Sequence, residues 1–164
     1  MLPAIEEINY LVGREAEIDK RIVALNKVST SARRLLKIPG IGPINASYLS
    51  NLDIKSYKDP KDFSASLGIV PRQNTTGGRV VLGSITKNGN RQARTMLIQG
   101  ARALMVYASR LEKPKCRLTQ WASNAYRRLG FNKASVALAN KLARIAHACI
   151  VQGVDYRTQA VSTL

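Results

Sequence analysis

Residues 35–49 read Leu-Leu-Lys-Ile-Pro-Gly-Ile-Gly-Pro-Ile-Asn-Ala-Ser-Tyr-Leu, and no single helix can run through them. Pro39 has no N–H to donate, and its ring clashes with the preceding turn. Gly40 and Gly42 tolerate positive φ and a close backbone approach. Pro43 suits the first turn of a new helix, expected to reach about Leu52. Leu35, Leu36 and Ile38 on one side, with Ile44 and Leu49 on the other, are the apolar residues expected to bind the two helices together. The stretch is therefore predicted to be a tight hairpin of two helices. Its second helix begins with bare backbone N–H groups and partial positive charge, an arrangement suited to phosphate. Lys37, Gly40, Ile41, Gly42 and Asn45 are the candidate contacts there.

Around this turn the apolar spacing is helical. Ile5, Ile8, Leu11, Val12, Ile18, Ile22 and Leu25 recur at steps of mostly three and four over residues 4–27, in a stripe narrow enough for a coiled-coil seam. That helix is expected either to pack on its own domain or to associate with a second copy. Residues 32–37, 61–68, 90–109, 115–129 and 132–152 are predicted as further helices. Ser29, Thr30 or Ser31 is the expected cap of the first, and Asp59-Pro60 the start signal of the next. Residues 71–89 concentrate glycine and basic residues, and Arg79-Val80-Val81-Leu82 reads there as a short strand, compatible with a small β-hairpin. The expected architecture is mainly α: a coiled-coil-like helix over 1–28, a helical domain over 29–153, and a loose tail over 154–164.

The 164 residues hold 26 bases against 10 acids, a formal net charge of +16. Such an imbalance on a small domain points to a polyanion, nucleic acid ahead of an anionic lipid surface. No apolar run is read as reaching bilayer length, and the start lacks the pattern of a secretion signal, so a cytoplasmic protein without a membrane partner is expected. Cys116 and Cys149 are far apart and lack metal-ligand spacing; they read as reduced structural thiols, and Trp121 as core. His147 lies two residues before Cys149, and two ligands do not make a metal site, so no metal is expected in this chain. Aromatic residues make up only 5%, which favours phosphate contact over base stacking, although six tyrosines leave stacking open.

The Pro-Gly-Ile-Gly turn, with Ala46 three residues after Pro43, resembles the helix-hairpin-helix of DNA repair and recombination proteins, which grips the phosphate backbone without reading sequence. Residues 67–105 form a second constellation, in which bases and glycines lead into a helix bearing Arg91 and Arg94. Such a loop can wrap a phosphodiester and present a hydroxyl from Thr75, Thr76, Ser84 or Thr86, with cations to hold the charge that develops at phosphorus. A surface loop with solvated bases is the alternative. Pro39, Gly40, Ile41, Gly42, Leu67, Gly68, Pro71, Ile85, Thr86, Lys87, Gly89, Asn90, Arg94 and Leu97 follow one another in a recognisable order. On those residues, positions 35 to about 105 resemble the C-terminal domain of transposases from bacterial insertion sequences of the 110/116/902 type, a group that includes the Piv-like DNA invertases.

The resemblance implies a specific chemistry. Complete family members have an N-terminal RuvC-like, ribonuclease-H-like domain whose Asp-Glu-Asp-Asp set binds Mg²⁺. A coiled coil joins it to a C-terminal domain whose serine attacks DNA and forms a covalent phosphoserine. Some members use a structured guide RNA. By this resemblance residues 4–27 would end the coiled coil and join a homo-oligomer. The chain would be the double-stranded-DNA-binding C-terminal domain of a transposase or site-specific recombinase, associated with the bacterial nucleoid. It would be inactive alone, because the acidic domain is not in this sequence. The serine position falls within Asn74-Thr75-Thr76-Gly77, so Thr75, then Thr76, are the candidate nucleophiles, with Ser84 a distant third. Arg72, Arg79, Lys87, Arg91 and Arg94 would clamp phosphates; for Arg94 a salt bridge from helix to loop is the alternative. The rival functions are a non-catalytic helix-hairpin-helix DNA-binding protein and a guide-RNA-binding accessory domain.

Overall fold

A computed structural model describes residues 2–76 and 79–159. Among these, seven α-helices, one 3-10 turn and one two-stranded antiparallel hairpin follow in the order α1 (Leu2–Val28), α2 (Thr30–Leu36), α3 (Pro43–Ser50), the 3-10 turn (Ile54–Ser56), α4 (Pro60–Ser66), β1 (Pro71–Thr76), β2 (Arg79–Ile85), α5 (Arg91–Ser109), α6 (Arg117–Leu129) and α7 (Phe131–Val151). The mainly helical expectation is met, and the glycine-rich segment contains the hairpin.

Local chemistry sets most boundaries. Ser29 is the cap that starts α2, its hydroxyl accepting from the Ala32 N–H at 3.2 Å. Asp59 caps α4 in the same way, accepting from the Lys61 N–H at 2.7 Å, with Pro60 at the first helical position. Asn90 opens α5 by accepting from the Ala93 N–H at 2.9 Å. At α6 the Thr119 hydroxyl accepts from the Cys116 N–H at 3.0 Å and donates to the Cys116 carbonyl at 2.9 Å. Gly130, at φ 73°, ends α6 and turns the chain directly into α7.

The core forms around α7. Ala139, Ala143 and Ala146 keep its faces thin, so α4, α5, α6 and α2 all approach it, and Leu138 and Leu142 fill the space between. Leu97, Ala101 and Met105 of α5 supply the largest facing surface. By length and composition α7 could cross a bilayer, which corrects the sequence reading that no run does; 56% of its apolar window is buried inside this fold, as in a core helix. His147 is an ordinary core position. Its Nε2 lies 2.8 Å from the Tyr57 carbonyl, and its ring lies beside Phe63.

Two segments lie at the margins. α1, about 40 Å long at helical rise, packs mainly on α2 and α3, and its residues 3–21 are exposed throughout. Its one buried residue, Asn26, donates from Nδ2 to the Pro43 carbonyl at 2.8 Å. At the other end, residues 153–159 have no regular secondary structure, yet they are attached. Lys37 Nζ lies 2.5 Å from Asp155 Oδ2, Tyr156 packs on the core, and the Arg117 N–H donates to the Gln159 carbonyl at 3.0 Å.

Candidate nucleic-acid interface

α2 and α3 pack against each other as a hairpin, and part of the turn between them is buried. Leu35, Ile38, Ala46 and Leu49 glue it together, whereas Leu36 and Ile44 point outward. Ile41 is buried at 5% exposure, so it cannot touch a strand. Asn45 donates from Nδ2 to the Met96 carbonyl at 3.0 Å, tying α3 to α5. Gly40 has φ +90°, and a Cβ there would meet the Gly100 carbonyl and the Leu142 and Leu104 side chains at 3.2–3.3 Å. Its missing side chain lets α5 approach. It does not open a path for phosphate. Gly42 alone among the turn glycines borders open space. Lys37 is half exposed and paired with Asp155. A two-helix hairpin is therefore present, while Gly40, Ile41 and Asn45 serve its attachment to α5.

Arg94 is also held within the fold. It is 9% exposed, and its guanidinium donates to the Leu67 carbonyl at 2.8 Å and the Asn88 carbonyl at 3.1 Å. It ties helix to loop, as the alternative reading had it, but through carbonyls in place of a carboxylate. The loop it holds is tightly wound. Lys87 takes a positive φ of 59°, its N–H bonds the Gly68 carbonyl at 3.0 Å, and Gly89 lies so close to Ser66 that a Cβ would meet the Ser66 carbonyl at 1.9 Å. These contacts fix the foot of the β-hairpin against α4 and α5.

From that foot the hairpin projects as a free ribbon. β1 and β2 pair with each other, and residues 71–75 and 81–84 are exposed. Gln73 pairs with Leu82, Asn74 with Val81 and Thr75 with Val80; between Pro71 and Gln73 the register slips by one, Gly83 and Ser84 of β2 lying opposite the single Arg72 of β1. Thr75 thus stands near the ribbon tip with its side chain open to solvent. The backbones of Thr76 and Arg79 pair, but their side chains, and residues 77–78, lie outside the described residues. Arg72, Lys87 and Arg91 are all exposed around the foot, where Arg72 reaches the Thr86 carbonyl at 3.4 Å. Thr75 is about 10 Å farther along the strand than Arg72.

The charge is segregated. α1 holds five of the ten acids and four of the 26 bases, so the rest of the chain carries 22 bases against five acids. Among the described residues no group of three or more His, Cys, Asp or Glu side chains could hold a metal ion. These described residues offer no donor set that fits the Mg²⁺ implied by the family resemblance. A basic, hydroxyl-bearing ribbon on a helical platform can bind phosphates and offer an alcohol to one; it carries no acid–base pair of its own near the tip among the described residues. The sequence offered no sign of a further cavity between α6, α7 and the C-terminal segment, because Trp121 read as core and Tyr156 as tail.

Similarity to known proteins agrees with this geometry. Residues 32–117 match the family described as Transposase IS116/IS110/IS902, and the chain belongs to that family. It is 42% identical over 153 residues to the transposase for insertion sequence element IS1328 of Yersinia enterocolitica, covering 92% of this chain and 45% of that protein. It is also 36% identical over 155 residues to the transposase for insertion sequence element IS1111A of Coxiella burnetii, covering 92% of this chain and 42% of that protein. The chain thus spans a little under half the length of these relatives.

Proposed function

We propose that this chain is the DNA-holding, nucleophile-bearing portion of a transposase that acts by phosphoryl transfer, and that the metal-binding RuvC-like chemistry is supplied by a domain outside this sequence. The observation that carries the reading is the exposed ribbon with Thr75 near its tip and Arg72, Lys87 and Arg91 around its foot. The cations hold the duplex backbone, as does Arg79 in β2. Thr75 or its neighbour Thr76 then attacks a phosphodiester. A Thr Oγ1–P bond forms as the bridging P–O bond to one deoxyribose breaks, the hydroxyl proton leaves to a base, and the departing sugar oxygen takes one up. Threonine's extra methyl restricts the rotamer and slows that attack relative to serine. The protein works on the bacterial nucleoid, in the cytoplasm.

The same reading assigns α1 to self-association. Ala4, Leu11, Ile18 and Leu25 alternate with Ile8, Glu15 and Ile22 at heptad spacing on a helix whose apolar residues are left exposed. Two copies joined there would present two ribbons to one DNA.

A salt titration tests the binding step. Duplex DNA affinity should fall with a log–log slope of several units, each neutralised phosphate contributing about 0.9. Arg72→Ala and Arg91→Ala should each lower the slope by about one. A structured RNA of equal length bound more tightly than duplex would transfer the basic surface to a guide RNA, and unchanged slopes in both variants would remove the ribbon foot from the interface.

A further inference from the structure

A cavity of about 540 Å³ opens between α6, α7 and the C-terminal segment, lined by no residue of the ribbon among those described. Trp121 and Tyr156 give it aromatic surface, and Arg117, Lys141 and Arg157 give it charge. Among the described residues no carboxylate lines it. Lys141 Nζ stands 5.1 Å from the centre of the Trp121 ring, so one cation already sits against the indole. Arg117 is held by a neutral partner: its guanidinium donates to Gln159 Oε1 at 2.9 Å while its N–H bonds the Gln159 carbonyl. Its charge is oriented without being cancelled. The Tyr156 phenol is pushed up by burial, so it remains a neutral hydroxyl.

Each simpler ligand leaves part of this wall unused. An apolar molecule has no use for three cations that meet no carboxylate among the described lining residues, and an inorganic anion none for two aromatic side chains. A base joined to phosphate uses both, and the volume lies in the range of small-molecule sites. In duplex DNA the base faces are stacked and unavailable. We propose that this cavity takes one unpaired nucleotide of a nucleic-acid strand, with its base against the aromatic side chains and its phosphates among Arg117, Lys141 and Arg157. The proposal rests on the nucleic-acid reading above and adds a second site to it.

Trp121 is the only tryptophan in the chain, so its emission reports from inside the cavity. The full chain is titrated with a single-stranded DNA decamer, an RNA decamer, thymidine monophosphate and a fluorescein-labelled duplex of equal length. A single strand should quench Trp121 emission to saturation, and the stronger of DNA and RNA identifies the strand that supplies the nucleotide. The duplex should bind, as read by anisotropy, with little quenching. Arg157→Ala and Lys141→Gln should each weaken single-strand binding about tenfold and leave duplex anisotropy unchanged. Duplex binding without quenching by either strand would overturn the site and keep the ribbon reading. Quenching by the mononucleotide at the same concentration as the decamers would overturn the strand in favour of a free nucleotide. No binding by any readout would overturn both proposals.

Discussion

Gly40 and Gly100 meet backbone to backbone: a Cβ placed on Gly100 would lie 2.0 Å from the Gly40 carbonyl oxygen. In an exposed helix interior a glycine-to-alanine change stabilises by about 1 kcal/mol. Here the sign reverses, because the obstacle is backbone and cannot rotate away. Gly100→Ala should cost about 3 kcal/mol or more, read as a fall in urea midpoint. Gly42→Ala, with φ −87° and nothing within 4 Å of its Cβ, should cost less than about 1 kcal/mol. Any larger loss of DNA affinity in that variant would report a contact with the strand.

Arg94 separates a structural cation from a phosphate clamp. Arg94→Lys removes the Nη1 nitrogen that donates to both carbonyls from a buried, planar guanidinium, so stability should fall by about 2 kcal/mol. The slope of DNA affinity against salt should stay unchanged, in contrast to Arg72→Ala and Arg91→Ala. A slope reduced by about one in the folded Arg94→Lys protein would return Arg94 to the interface.

Glu15 interrupts the α1 seam. If two helices associate there, Glu15→Leu exchanges a charge for apolar surface and should tighten dimerisation at least about tenfold by sedimentation equilibrium. A monomer unchanged by the substitution would remove α1 from self-association.

Thr75 and Thr76 are tested in a protein that joins this chain to a RuvC-like domain. One of Thr75→Ala and Thr76→Ala should abolish strand exchange, and the corresponding serine variant should react faster than threonine by relief of the γ-methyl. Full activity in both alanine variants would exclude these hydroxyls as the nucleophile.

The contact between Lys37 and Asp155 ties down the C-terminal segment. The hydrogen bond from Lys37 holds the Asp155 carboxyl below its ordinary value, aided by the charges of Lys37, Arg34 and Arg33. A carboxyl depressed in the folded state stabilises above its unfolded value and loses that effect as pH falls through its lowered one. This contact should therefore be present at neutral pH and lost in acid, leaving the segment held by Tyr156 and by the Arg117–Gln159 bonds. Limited proteolysis at neutral pH should cut Asp155→Asn within residues 153–159 faster than the parent chain.

Much of the fold was legible because it rests on local chemistry. The caps at Ser29 and Asp59 and the break at Pro39 are written in neighbouring residues. The glycine-rich segment was legible as a hydroxyl-bearing basic loop because residue types are read directly from the sequence. Which glycine or arginine faces outward was not legible. Gly40 and Gly42 stand two residues apart with the same chemistry, and only the arrival of α5 separates a buried contact from an open one. Arg94 looked like its neighbour Arg91, yet one helical position turns its guanidinium under the loop.

The sequence by itself determined where this chain bends, its mainly helical class, its strongly positive net charge and its family. These depend on backbone chemistry within a few residues and on side-chain identity. The tertiary structure alone decided that the Pro-Gly-Ile-Gly turn is a joint, that the ribbon stands free, and that Trp121, Lys141 and Tyr156 enclose a cavity. Those outcomes depend on which surfaces meet across long separations, and burial decides whether the same residue holds the fold or faces a ligand.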